Sequence, residues 1–147
     1  MATALVLSGL YGVVMRQPVP DTAHVQSAVG LLIAAEFHTA RVYDDTVERF
    51  RKGRVAAAAL IQVIERTILP ELHTASAAVS ALDHVPPEQE GLVTAAFKYV
   101  DLRVKGWQLR AQALQSSDLL MLREADRQEQ DSLRELQVVV VKHRELH

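Results

Sequence analysis

His143 and His147 have the spacing of a metal chelate, since residues four apart share a helix face and two imidazoles can then hold one ion. They stand at the end of the chain, where helices fray, and read as a solvated tail. A paired-metal carboxylate centre in a helical bundle needs Glu-x-x-His, because positions i and i+3 put both ligands on one inward face. No glutamate here has a histidine three residues later. Glu71 and His73 come nearest, and their side chains point about 200° apart on a helix. No metal site and no cofactor are expected, and the isolated His24, His38 and His84 read as exposed or hydrogen-bonded at helix ends.

Nucleophilic catalysis fares no better. Ser8-Gly9 lies in an apolar run with no histidine before His24, and the chain lacks a nucleophile elbow, a P-loop and a dinucleotide fingerprint. Cysteine is absent, which removes thiolate nucleophiles, thiolate zinc sites and disulfides together. No catalytic residue is expected, and the chain reads as a non-enzyme.

What is left is contact chemistry. Arg103 and Arg110 bracket Trp107 at i−4 and i+3, so both guanidinium groups can lie along the indole or pair with Glu36, Glu65 or Glu71 of neighbouring helices. Arg103, Trp107 and Arg110 thus form a candidate interaction stripe. The same spacing also suits a salt-bridge edge around a core tryptophan, with the arginine stems covering apolar surface. Glu36, among Leu32, Ile33, Phe37 and Ala40, falls at the edge of a packed face, where a carboxylate requires a partner.

These residues need long helices to position them. Val93, Phe97, Val100, Val104, Trp107, Ala111 and Leu114 recur at alternating steps of four and three, the rhythm of a helix seam packed along another helix. The first helix runs from a cap at Asp21 or Thr22 to about Lys52 and stops at Gly53, with Val25, Val29, Leu32, Phe37, Tyr43, Val47 and Phe50 inward. The second runs from near Arg54 to about Asp83, kinked at Pro70. Pro86-Pro87 starts the third, which reaches about Gln115. Ser116, Ser117 or Asp118 caps the fourth, whose middle, Glu124 to Asp131, is poor in apolar residues, so that it packs most firmly at its ends. Short turns between long helices predict an all-α, antiparallel four-helix bundle over residues 21–147. A pocket in such a bundle would form where the seam is thin, near Gly106, Ala111 and the polar middle of the fourth helix.

Composition agrees with one domain of ordinary size: 147 residues, 49% apolar and 23% charged. The formal charge of −2 is scattered, leaving no basic stripe for nucleic acid. Asparagine is absent and arginine far outnumbers lysine, a bias that fits a GC-rich bacterial genome.

Residues 1–20 stand apart as an apolar segment with a proline-containing spacer. Residues 2–15, ATALVLSGLYGVVM, carry no charge, yet fall short of the roughly 20 apolar residues of a membrane span and lack the basic start of a signal peptide. Three readings fit: the end of a membrane span, a helix docked on the bundle or on a partner, and a processed leader. A membrane or partner contact would use Leu5, Val6, Leu10, Tyr11, Val13 and Val14.

The runs VYDDTVERFRKGRV, VIERTILPELHTA and EQEGLVTAAFKYVDLRVKGWQLRAQALQSSDLLMLREADRQEQDSL, within about residues 42 to 137, resemble in overall texture a helical region that follows the membrane core of some bacterial rhomboid-family intramembrane serine proteases. In that family the catalytic serine and histidine belong to the transmembrane core, which this chain lacks. The resemblance implies a non-catalytic helical module placed next to a membrane protein. The expectation is an accessory interaction module of a membrane-associated bacterial assembly, able to form oligomers. The alternative is a helical bundle that binds a small anionic or apolar ligand.

Overall fold

A computed structural model describes residues 22–147, and they form an all-α antiparallel bundle. Helix α1 (Thr22–Arg51) is followed by a composite second rod: α2 (Ala58–Val63), a π-helical turn (Ile64–Ile68) and α3 (Leu69–Ser80). A 3-10 turn (Pro87–Gln89) leads into α4 (Glu90–Ser116), and α5 (Leu119–Glu145) completes the set. The second rod packs on α1 and α4, and α5 packs on α4 and α1, so chain neighbours are also neighbours in space.

The ends of the helices are set by local chemistry. Gly53, at φ +69°, closes α1: its amide donates to the Phe50 carbonyl and that of Arg54 to the Arg49 carbonyl, a reversal that only a residue tolerant of positive φ makes without strain. Making that reversal takes residues 54–57, so the second rod starts at Ala58 rather than near Arg54. Pro70 produces the π-helical turn just before it, where wider winding absorbs the lost amide and the ring's clash with the preceding turn. Asp118 caps α5, its carboxylate accepting from the amides of Leu120 and Met121. Asp21 lies outside the described residues.

The core runs the length of the bundle, from Val25, Val29 and Leu32 of α1 through Ile64, Ile68 and Leu72 to Leu92, Ala96, Trp107 and Val139. Three aromatic residues expected inside are turned outward. Phe37 is 64% exposed, and Phe50 and Phe97 are each 42% exposed. Residues 36 and 37 lie about 100° apart on α1, so only one can face the centre, and Glu36 takes that place. On α4, Ala96, Tyr99 and Arg103 point inward, which leaves Phe97 at the rim beside His73 and Ser76 of α3.

Where α4 and α5 cross, Gly106 brings the helices together. A Cβ built there would meet Gln128 Cβ at 3.4 Å and the Glu129 amide nitrogen at 3.6 Å, ordinary contact distances. Gly106 therefore closes the seam instead of opening a pocket, and Ala111 is buried in the core. The Gly106→Ala protein should gain up to about 1 kcal/mol from helix propensity, whereas Gly106→Leu, which overfills the crossing, should lose about 1–3 kcal/mol. Paired urea melts check both signs.

Candidate functional site

The polar centre of the bundle begins with Glu36, placed on the inner face of α1 by the same register that carries Leu32 and Tyr43. It is 3% exposed, as is Arg103 of α4. The guanidinium grips the carboxylate with two bonds, Nε to Oε2 at 2.9 Å and Nη2 to Oε1 at 2.7 Å. Tyr99, one helical turn before Arg103 and fully buried, donates its hydroxyl to Glu36 Oε2 as well. Burial first, then the Glu36 charge and the hydrogen bond to it, push the Tyr99 phenol far above its ordinary pKa. For Arg103 burial alone would favour the neutral form, but the Glu36 and Glu129 carboxylates outweigh it and hold the guanidinium above its ordinary value.

The network continues into α5. Arg103 Nη1 reaches Glu129 Oε1 at 3.1 Å, Arg110 Nη2 reaches Glu129 Oε2 at 2.7 Å, and Arg110 also meets Asp126 Oδ1 at 2.7 Å. Aromatic rings fill the space between the charges. Trp107 lies edge-on to Tyr43 with centroids 4.8 Å apart, and the Arg103 guanidinium sits 4.7 Å from the indole centroid. Burial raises the Tyr43 pKa too, against the opposing charge of Arg110. Glu129 thus bridges both arginines, and the middle of α5, expected to be its weakest contact, is instead held by ion pairs.

The stripe of Arg103, Trp107 and Arg110 is therefore assembled, but facing inward. As a contact surface it is not available: Trp107 is 2% exposed, and the guanidinium groups are engaged by α1 and α5 carboxylates. Glu36, among the three partners expected for it, is the one Arg103 takes, whereas Glu71 pairs with His38 and Glu65 accepts from Gln115. Tyr99, Glu129 and Asp126 were not legible as members of this cluster. An i, i+4 link from Tyr99 to Arg103 is visible in the sequence, but nothing in it shows which side of α5 meets α4.

Chemically the centre is closed off by burial and internal pairing. Glu36 accepts from three donors, two on Oε2 and one on Oε1, and is closed off from solvent, so three of its roughly four acceptor sites are taken inside the bundle. Arg110 is likewise occupied where it borders an open cleft of about 420 Å³ between Tyr43, Phe50, Leu122 and Asp126. His143 donates from Nε2 to the Gln26 carbonyl at 3.2 Å, which ties the end of α5 to the start of α1. No group of three or more metal-ligating side chains converges among the described residues.

A long groove lies between α1 and α3. Its upper part, about 550 Å³, is lined by His24, Ser27, Ala28, Gly30, Leu31, Ala34, Ala78 and Leu82. Its lower part, about 340 Å³, is lined by Leu31, Ala34, Ala35, His38, Glu71, Thr74 and Ala75. Leu31 and Ala34 border both, so the two form one groove, and Leu31 is 50% exposed within it. Small side chains on both helices make the groove: alanine and glycine leave a trough where leucines would have filled the gap. No family model, curated protein or solved structure matches the chain. Leu5, Val6, Leu10, Tyr11, Val13 and Val14 lie outside the described residues, and none of the described helices is long and apolar enough to cross a membrane.

Proposed function

We propose that this chain is a non-catalytic helical interaction module whose α1–α3 groove receives an apolar helix, as an accessory part of a membrane-associated bacterial assembly. The groove carries this reading. Its floor is alanine, glycine and leucine, with His24 and Ser27 at one end and His38, Glu71 and Thr74 at the other, the mixed apolar and polar-rimmed chemistry of helix-in-groove recognition. The buried ionic centre supports it from the other side, because pairs that tie α1, α4 and α5 together hold the faces they carry in place. The membrane part of the reading draws on the uncharged residues 2–15 and on the rhomboid-like texture of residues 42 to 137.

A photo-crosslinking amino acid placed at Ala34 in the groove, and separately at Arg127 on the solvent face of α5, tests it in the cells that make the protein. Adducts should form from Ala34 and not from Arg127, and Leu31→Glu should abolish them without lowering the melting temperature. Equal labelling from both positions, or none from either, would remove the basis for an interaction module.

A further inference from the structure

We infer that the end of the bundle where α1 stops and α5 starts docks on an anionic lipid surface. The inference rests on the membrane-associated part of the reading above, and it names the surface that meets lipid. Leu119 and Leu120, the first two residues of α5, are 72% and 75% exposed, the most of any large apolar side chains among the described residues. Helix formation does not call for them there, since a first turn gains from acidic residues and Asp118 already caps this one. Phe50, in the last turn of α1, is exposed as well, and it borders one cleft with Leu122, a turn beyond Leu119. Antiparallel packing thus puts all three side chains at one end of the molecule.

Charge decides what covers them. Residues 48–54 and 116–123, far apart in sequence, bring five cations and two carboxylates to this end of a chain whose formal charge is −2. Glu48 is answered by Lys52 at 3.1 Å, and the Asp118 carboxylate accepts from the amides of Leu120 and Met121. Arg49, Arg51, Arg54 and Arg123 are exposed, and no carboxylate among the described residues pairs with them. Arg49 and Arg51 complement the dipole at the end of α1, but Arg54 lies past that helix, and Arg123 lies near the positive end of α5, where a cation gains nothing. Exposed leucines among unpaired arginines match a surface that offers acyl chains and phosphates together. The apolar side chains enter the boundary between headgroups and chains, and the guanidinium groups meet anionic headgroups. A closed protein groove would instead have to desolvate the four arginines along with the leucines. The α1–α3 groove ends at His38, about 18 Å from Phe50 at 1.5 Å per residue, so it stays open when this end meets the membrane.

Flotation of the full chain with phosphatidylcholine–phosphatidylglycerol vesicles, beside vesicles of phosphatidylcholine alone, tests the contact. The chain should bind the anionic vesicles and bind the neutral ones far less. Arg49→Gln/Arg51→Gln/Arg54→Gln should weaken binding on the order of 100-fold, at about fivefold per cation, and Leu119→Ser/Leu120→Ser by about tenfold or more. All five side chains are exposed, so the melting temperatures should match the parent's. The absence of cysteine lets the contact be located. A polarity-sensitive dye on Ala56→Cys, in the turn between α1 and α2, should shift to the blue on anionic vesicles, and the same dye on Gln130→Cys, midway along α5, should not. No binding, equal binding by parent and variants, or equal dye shifts at both positions overturns the proposal, as does binding to duplex DNA in place of vesicles. If it is overturned while Ala34 still forms position-specific adducts in cells, the interaction module stands. If the lipid contact holds and Ala34 gives no adducts, the groove reading falls and this one remains.

Discussion

Replacing Arg103 by methionine should destabilise the fold by about 3–5 kcal/mol, because Glu36 would be left as a buried carboxylate without its cation. For a domain of this length each kcal/mol moves the melting temperature by about 2–4 °C, so the drop is on the order of 10 °C. The loss comes from Glu36, which Tyr99 alone cannot compensate, and from Glu129, which keeps only Arg110. The triple variant Glu36→Leu/Tyr99→Phe/Arg103→Met removes the stranded groups together and should recover most of the lost stability, since replacing a whole buried ionic cluster with apolar side chains is often neutral or better. Urea unfolding of the two variants beside the parent separates the cases. An Arg103→Met protein within 1 kcal/mol of the parent would mean that water reaches Glu36 and that the centre is not closed.

This cluster also marks where the sequence stops being legible. The antiparallel helices, the stop at Gly53, the proline entry to α4 and the cap in the stretch 116–118 are local signals, readable from turn and capping chemistry alone. The three-and-four rhythm identified Trp107 and Val100 as core, but it also placed Phe97 inside, as the apolar positions read for α1 placed Phe37. Hydrophobicity counts each residue by itself, whereas Glu36 and Arg103 become core residues only as a pair. Their pairing across α1 and α4 turned α1 so that Phe37 lost its place. The same blindness applied to α5: Glu124 to Asp131 looked like a solvated stretch, although Glu129 is the residue that joins both arginines. The groove was less legible still, because a run of alanines is compatible with any helix face and becomes a trough only when α1 and α3 are set side by side.

The second large effect is expected at high pH. Tyr99 and Tyr43 both have phenol pKa values raised above the ordinary 10 by burial, and for Tyr99 the Glu36 charge adds to it. A raised pKa in the folded state means that the stabilisation is fully present below pH 10. Above that, the unfolded chain releases its phenolic protons while the folded chain retains them, so the folded state is the one that binds more protons and stability falls. For Tyr99, whose shift is the large one, the slope is about −1.4 kcal/mol per pH unit, or about −3 kcal/mol by pH 12. Lysines titrate in the same range, so the total slope does not isolate this group. Comparison with Tyr99→Phe does. That variant is less stable at neutral pH, having lost a hydrogen bond to a charged acceptor, but between pH 10 and 12 its stability should decline less steeply than the parent's by the contribution of one phenol. The two lines should converge as the pH rises. If they stay parallel, the Tyr99 proton is not held by the buried carboxylate, and the closed centre that holds the groove's α1 face in place would have to be abandoned.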